Sequence, residues 1–196
     1  MGCGAGRLAF PLATYLDANG VYTGFDLSER ALGFARRHTR GEARFNFVRA
    51  DVQSREYGGA GLKAVGYQFP AEAESIDAAL AISLFSHLLP EDAAAYLREA
   101  GRVLKPGGRL CLTGFLIEPG MVLTDAVLPL SPYREGAWVA DSREPERAIG
   151  YERAVFERWL REAGLRMAAP VEAGHWSDTV RRGEFQDRII VEKPAL

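Results

Sequence analysis

The stretch Met1-Gly2-Cys3-Gly4-Ala5-Gly6 opens the sequence with a glycine loop in which three glycines stand at alternate positions. Glycine has no Cβ, so such a loop can turn sharply and bring its backbone close to a ligand. In a doubly wound α/β domain, a loop of this kind joins the first strand to the first helix and lies under a nucleotide-type cofactor. No strand precedes the loop in this sequence, so we expect an N-terminally truncated version of that fold.

The composition is typical of a globular chain with one domain. The chain has 196 residues, of which 47% are hydrophobic and 26% are charged, and its net charge is −2. This charge balance gives no electrostatic basis for binding nucleic acid or an anionic membrane. No apolar stretch approaches the roughly 18 residues of a membrane span. Cys3 and Cys111 indicate neither a disulfide framework nor a metal site. We therefore expect one cytoplasmic domain over residues 1–196, without metal, nucleic acid or membrane as a partner.

Strands alternate with helices over the first 115 residues, and this alternation predicts a parallel sheet with helices on both faces, a three-layer αβα sandwich. The predicted helices are Leu8–Leu16, a helix capped by Ser28, and Pro90 to about Val103. The predicted strands are Val21–Asp26, Phe45–Asp51, a buried strand Ile76–Ile82, and Arg109–Phe115.

The last third of the chain is less regular. Residues 116–150 contain four prolines and show weak periodicity, so we expect an irregular insertion that either covers a ligand site as a lid or simply wraps the sheet. An amphipathic helix is predicted for Tyr151–Ala163, and strands are predicted for Met167–Ala173 and Asp187–Lys193. The long connection that contains Tyr57 either contributes to substrate capture or forms a surface excursion.

Polar residues follow the predicted strands in order, at the sheet edge where α/β domains bind ligands. Asp26 lies 20 residues beyond Gly6, a spacing that suits a carboxylate accepting hydrogen bonds from ribose hydroxyls. Asp51 follows the next strand, where it could meet an adenine amino group. Arg7 stands where a dinucleotide fingerprint requires a small residue, which argues against a nicotinamide or flavin cofactor.

These residues resemble the motifs of the class I S-adenosylmethionine-dependent methyltransferases. The resemblance is carried by Gly2–Arg7, Gly24–Ser28, Arg49–Val52, Ile76–Ala81, Phe85–Leu88 and Leu104–Leu110. It runs continuously from residue 2 to about residue 116, and Phe185–Val191 looks like the closing strand of a small-molecule subgroup. The resemblance implies a Rossmann-like, mostly parallel sheet whose C-terminal strand is antiparallel.

The resemblance also implies the cofactor contacts. Gly2, Cys3, Gly4 and Gly6 would line the methionine and ribose portions of S-adenosylmethionine, and Ser83 the methionine side. Asp26 would bind the ribose diol, with Leu27 against the adenine ring, and Asp51 and Val52 would hold the adenine edge. The family also has an acidic residue two positions before its first glycine, and this sequence does not contain it.

Methyl transfer is an in-line displacement on a carbon that positive sulfur already activates, so the protein contributes alignment and a base for a protonated acceptor. His87 follows the strand predicted for Ile76–Ile82 and is the candidate catalytic base; the alternative is a structural histidine that caps the turn or packs on the cofactor. His175, beside Trp176, could reach the same cleft or be an inert loop residue.

The sequence therefore predicts an S-adenosylmethionine-dependent methyltransferase that acts on a small molecule, such as a sugar or natural-product oxygen, and releases S-adenosylhomocysteine. A second hypothesis is a non-catalytic or partner-dependent remnant of the fold, because a missing central strand leaves unpaired sheet edges that invite association, including homo-oligomers. A nicotinamide-dependent oxidoreductase is the third hypothesis.

Overall fold

The computed structural model describes residues 1–40, 42–54, 61, 63–178 and 183–195. Tyr57, in the long connection considered above, lies outside these residues. The chain divides into two compact units, Met1–Lys63 and Ala64–Leu196, and each is described by itself. The single-domain organisation predicted for residues 1–196 stays a prediction.

The first unit contains α1 (Ala9–Tyr15), β1 (Tyr22–Asp26), α2 (Glu29–His38) and β2 (Phe45–Arg49). The two strands are parallel, with Tyr22 opposite Phe45 and Asp26 opposite Arg49. Ser28 caps α2 as predicted, because its hydroxyl accepts a hydrogen bond from the backbone N–H of Ala31 at 3.2 Å. The core of the unit is formed by Ala9, Leu32, Ala35, Phe45 and Phe47.

The second unit is built on a four-stranded sheet. Its elements are β3 (Ile76–Ala81), α3 (Pro90–Val103), β4 (Leu104–Gly114), α4 (Arg153–Glu162), β9 (Arg166–Met167) and β10 (Asp187–Glu192). The strand order is β3-β4-β10-β9. β3 and β4 are parallel, whereas β10 runs antiparallel to β4 with Asp187 opposite Gly114. The α/β class and the antiparallel closing strand are thus confirmed.

The segment predicted to be irregular, residues 116–150, instead contains most of a second four-stranded sheet. Its strands are β5 (Leu116–Ile117), β6 (Ser131–Pro132), β7 (Ala137–Val139) and β8 (Ile149–Glu152), in the order β5-β8-β7-β6. Each strand is too short for a period-2 pattern to be recognised in the sequence. Trp176 is fully buried against this segment in a cluster with Phe115, Ile117, Leu123 and Leu130.

Three further sequence predictions need correction. The strand β3 is not buried along its length: Asp77 and Ala78 are exposed and only Ala81 is buried, because among the described strands only β4 pairs with it. The helix α4 begins at Arg153 rather than Tyr151, since Tyr151 belongs to β8. The strand predicted over residues 167–173 is reduced to the two residues of β9 and an isolated bridge at Glu172.

Candidate functional site

The glycine loop has the backbone conformation that its sequence predicts. Gly2, Gly4 and Gly6 have φ angles of 60°, 52° and 87°, in the left-handed region that other residues rarely adopt. A Cβ at Gly6 would lie 3.1 Å from Cβ of Ala35, so this glycine lets the loop pack against α2. A Cβ at Gly4 would meet no atom within 4 Å. The loop is therefore packed at Gly6 and presents bare backbone to open space at Gly4.

Asp26 fixes the loop to the end of β1. Its Oδ2 accepts a hydrogen bond from the backbone N–H of Gly4 at 2.7 Å, and its Oδ1 accepts one from Ser28 N–H at 2.9 Å. A carboxylate offers about four acceptor positions, so these two bonds leave lone pairs for ligand hydroxyls. Leu27, next along the chain, is half-buried. The structure thus joins the predicted ribose-binding aspartate directly to the predicted cofactor loop.

Cys3 lies between the loop and β1. Its backbone N–H donates to the carbonyl of Phe25 at 3.0 Å, and a Cβ at Gly24 would come within 2.9 Å of its Sγ. Burial, with a smaller contribution from the charge of Asp26, raises the pKa of the Cys3 thiol to about 11. At neutral pH the thiol is protonated and is a packing group rather than a nucleophile.

Asp51 and Val52 follow β2 and differ in exposure. Asp51 is exposed, and its backbone and carboxylate lie so close to Gly61 that a Cβ there would come within 2.3 Å of them. Val52 is 4% exposed, so its side chain belongs to the packing of the first unit. Of the two predicted adenine-edge residues, Asp51 is the one that offers a polar side chain at the surface.

Ser83 follows β3 in a left-handed conformation, with φ of 55°. Its backbone N–H donates to Oγ1 of Thr113 at 2.8 Å, and its hydroxyl donates to Oε1 of Gln186 at 3.3 Å. Gln186 also accepts from the Thr113 hydroxyl at 2.5 Å and donates through Nε2 to Oγ of Ser86 at 3.0 Å. Sequence analysis did not identify Thr113 or Gln186, because no local spacing relates them to Ser83.

His87 is half-buried in the turn that follows. Its Nδ1 lies 2.8 Å from the backbone carbonyl oxygen of Glu146. A carbonyl only accepts hydrogen bonds, so Nδ1 carries the proton and Nε2 holds the lone pair of the neutral ring. This tautomer is the one a base acting through Nε2 requires.

The backbone of the same turn is held by Tyr151, a residue of β8 that sequence analysis placed in a helix. Its hydroxyl lies 2.5 Å from the carbonyl oxygen of Leu88 and 3.1 Å from that of Phe85. Burial raises the pKa of Tyr151 well above its ordinary value, so the hydroxyl remains a donor at physiological pH. Segment 116–152 thus supplies two residues, Glu146 and Tyr151, that contact the turn that carries His87.

The remaining histidines have local partners. Nδ1 of His175 lies 2.8 Å from the carbonyl oxygen of Glu184, and its ring packs edge-on against Phe185. His38 is exposed and stacks on Phe34 with 3.8 Å between ring centroids. Neither set of contacts indicates a catalytic role for His175 or His38.

A buried carboxylate lies beneath the second unit's part of the site. Asp187 is 4% exposed and accepts hydrogen bonds from Leu116 N–H, Gly174 N–H and Trp176 Nε1–H, at 2.8, 2.8 and 2.9 Å. Burial raises its pKa even though the three bonds act in the opposite direction. Asp187 therefore joins β10 to β5 and to Trp176. It is a structural group that the sequence did not reveal.

Within the part of the chain that the structure describes, no helix is long and apolar enough to cross a membrane. Over the same residues, no group of three or more His, Cys, Asp or Glu side chains is arranged to hold a metal ion. A cytoplasmic location stays a prediction.

An α/β fold with an antiparallel closing strand, and with a glycine loop before its first helix, is the fold of the class I S-adenosylmethionine-dependent methyltransferases. A family model described as a methyltransferase domain matches residues 1–110. The chain belongs to this methyltransferase family.

Individual relatives agree with this assignment. The 27-O-demethylrifamycin SV methyltransferase of Amycolatopsis mediterranei (strain S699) is 30% identical over 219 aligned positions, which cover 100% of this chain and 72% of that protein. An O-methyltransferase of Pyrenophora dematioidea is 29% identical over 130 residues, 65% of this chain and 42% of that protein. Among solved structures, a SAM-dependent methyltransferase from Methanosarcina mazei has the same fold, with a TM-score of 0.65 at 19% identity over 100% of this chain and 91% of that one.

Proposed function

We propose that this chain transfers the methyl group of S-adenosylmethionine to an oxygen of a small-molecule acceptor. The observation that carries the proposal is the bond between the glycine loop and Asp26, in a loop whose Gly4 backbone faces open space. The space at Gly4 and the spare lone pairs of Asp26 suit a ribose-bearing ligand. The family assignment favours methyl transfer over nicotinamide-dependent oxidation.

In this proposal, residues of the first unit hold most of the cofactor. The loop residues Gly2, Cys3, Gly4 and Gly6 line its ribose and methionine portions, and Asp26 accepts hydrogen bonds from the two ribose hydroxyls. Leu27 contributes an apolar contact to the adenine, and Asp51 accepts from its amino group, while the buried Val52 packs within the first unit beside Asp51. Ser83 of the second unit is assigned to the methionine side by the resemblance of the sequence to the class I methyltransferases.

S-adenosylmethionine, when bound, supplies a methyl carbon already activated by positive sulfur, so the chain has to align the acceptor and remove its proton. His87 is the group we assign to proton removal, through Nε2. Its tautomer is set by the Glu146 carbonyl, which leaves the lone pair on Nε2 to accept the proton of the acceptor.

An oxygen acceptor is supported by the relatives, since one is named for a 27-O-demethylated rifamycin substrate and another is named an O-methyltransferase. A hydroxyl is a protonated nucleophile, so a base such as His87 would remove its proton.

Titration calorimetry of the full chain with S-adenosylmethionine and S-adenosylhomocysteine tests the proposal. We expect both to bind, and Asp26→Asn to raise both Kd values about tenfold to a hundredfold, the effect of weakening hydrogen bonds to a charged group. The matched control is Asp17→Asn, the same chemical change at an exposed aspartate whose side chain accepts from the nearby Asn19 N–H. The control should bind like the wild type.

Absence of binding by the wild-type chain at ligand concentrations up to about 1 mM, the upper range of enzyme substrate affinities, would overturn the proposal. Equal losses in both aspartate variants would show that the Asp26 carboxylate has no special part in binding.

A further inference from the structure

Ser83 has a backbone conformation that its residue type disfavours. Its φ of 55° is in the left-handed region, which only glycine, and less often Asn or Asp, adopts without strain. Among the residues that the structure describes, two other non-glycine residues share such values, Glu74 at 52° and Glu135 at 51°. The amide of Glu74 is held by a backbone carbonyl, that of Arg102. Ser83 differs because a side chain, that of Thr113, accepts from its amide.

The hydrogen bonds around Ser83 form one connected network. The Ser83 amide can only donate, so Oγ1 of Thr113 accepts from it. The Thr113 hydroxyl in turn donates to Oε1 of Gln186. Oε1 also accepts from the Ser83 hydroxyl, while Nε2 of Gln186 donates to Oγ of Ser86. The side-chain amide of Gln186 is thus used on both sides.

We propose that Gln186 and Thr113 are positioning residues that hold the Ser83 turn in its left-handed conformation and so fix the Ser83 hydroxyl at the methionine side of the bound cofactor. The inference rests on the proposed function, because it concerns the same site. Neither residue is assigned a contact with the cofactor; both act through Ser83.

Packing alone does not account for this arrangement. Ser83 is exposed, so its side chain fills no space in a core, and glycine would adopt the same φ without strain. Residues in sparsely populated backbone conformations persist where surrounding structure holds them, and they are concentrated at functional sites. Thr113 and Gln186 reach the turn from the end of β4 and from the residue before β10, so the two central strands of the sheet determine where Ser83 lies.

Hydrogen exchange of the cofactor-free chain tests whether Thr113 and Gln186 hold the Ser83 turn. We expect the Ser83 amide to exchange at least tenfold faster in Thr113→Val, which removes its acceptor. The same acceleration is expected in Gln186→Leu, which releases the Thr113 hydroxyl. Thr113→Ser retains the hydroxyl and should keep the wild-type rate. Matched controls are Thr124→Val and Gln68→Leu, the same changes at exposed positions, and neither should alter this amide.

Calorimetry with S-adenosylhomocysteine tests the consequence for the site. We expect Thr113→Val and Gln186→Leu each to raise Kd about tenfold with the thermal unfolding midpoint close to that of their controls, and Thr113→Ser to bind like the wild type. Ser83→Gly weakens binding by removing the hydroxyl, but glycine adopts the left-handed conformation without being held in it. Adding Thr113→Val to Ser83→Gly should therefore cause no further loss.

The outcomes separate this inference from the proposed function. Unchanged exchange at Ser83 in Gln186→Leu, or faster exchange with unchanged Kd, would overturn the inference while leaving the methyltransferase proposal intact. The inference would also be overturned if the increases in Kd caused by Ser83→Gly and Thr113→Val multiply in the double variant. A merely structural Thr113 acts independently of residue 83. If the wild-type chain binds no S-adenosylhomocysteine, the proposed function fails, and hydrogen exchange alone decides whether Gln186 and Thr113 hold the turn.

Discussion

The two compact units hold their candidate site residues through contacts of different range. In the first unit, Asp26 accepts from Gly4, 22 residues earlier, across the helix α1 and the strand β1. In the second unit, Ser83 is bonded to Thr113, 30 residues away, and to Gln186, 103 residues away. His87 and Glu146 are separated by 59 residues.

This difference has a physical consequence. The first unit's loop depends on the conformational freedom of its own glycines, so changes within the loop should damage it most. The turn in the second unit depends on donors and acceptors from several strands, so changes far along the chain should reach it. The following predictions test that contrast.

His87→Gln should have the largest effect. We expect kcat for methyl transfer to an acceptor found by screening hydroxylated small molecules to fall about a hundredfold to ten-thousandfold, the usual contribution of a general base. The Kd of S-adenosylmethionine should not change. His38→Gln makes the same change at an exposed histidine of the first unit and serves as the control. A normal kcat in His87→Gln would leave His87 as a structural histidine of the turn.

Gly6→Ala should destabilise the chain more than Gly4→Ala. Alanine at either position incurs a left-handed backbone penalty of roughly 1–2 kcal/mol. At Gly6 the new Cβ also lies 3.1 Å from Ala35 Cβ and 3.2 Å from Phe10 Cζ. That overpacking brings the total to about 2–4 kcal/mol. Urea unfolding measures the free energies.

Gly4→Ala is the matched variant, since its Cβ enters open space. It should remain folded yet bind S-adenosylhomocysteine more weakly, because the methyl group occupies space assigned to the cofactor. Equal stability losses at the two positions would show that packing against α2 is unimportant.

Tyr151→Phe should weaken the second unit. The change leaves the carbonyl oxygens of Phe85 and Leu88 without the hydroxyl that now contacts them, at a cost of about 1–3 kcal/mol in unfolding free energy. If β8 positions the His87 turn, kcat should fall while the cofactor Kd in the first unit's loop stays the same. Tyr133→Phe, at a more exposed tyrosine of the same segment, is the control. A cofactor Kd that rises as much as kcat falls would contradict the contrast between the units.

The smallest effect is expected at Cys3. Because its folded pKa is raised from 9.0 to about 11, the folded state favours the thiol. The stabilisation it brings is fully present below pH 9 and is lost as pH rises towards 11. The unfolding free energy should therefore decline over that range, and less so in Cys3→Ala. Alkylation of Cys3 by iodoacetamide at pH 8 should be about a hundredfold slower than in the urea-unfolded chain. Equal alkylation rates would show that the thiol is not buried against β1.

Sequence patterns predicted the regular elements where local signals are strong. Ser28 was identified as the cap of α2, and Pro90 with two following acids as the start of α3; the structure has both. The patterns failed over residues 116–152, because strands of two to four residues are too short to show a period. They also failed for β3, where an apolar composition predicted burial that one pairing strand does not provide.

The candidate site divides in the same way. The sequence by itself determined the glycine loop and the placing of Asp26 at the end of β1, because positive φ angles favour glycine and the short spacing across α1 and β1 brings the aspartate to the loop. It also indicated Ser83 and His87 as residues that follow a strand. Their assigned roles in binding and catalysis stay predictions.

Only the tertiary structure decided what holds Ser83 and His87 in place. Thr113, Glu146, Tyr151 and Gln186 act through single hydrogen bonds between residues distant in sequence, and a single donor or acceptor has no periodicity or spacing that marks its partner. The tautomer of His87, the protonated thiol of Cys3 and the buried carboxylate of Asp187 likewise depend on burial and neighbours. Those are properties of the folded chain that residue types alone do not specify.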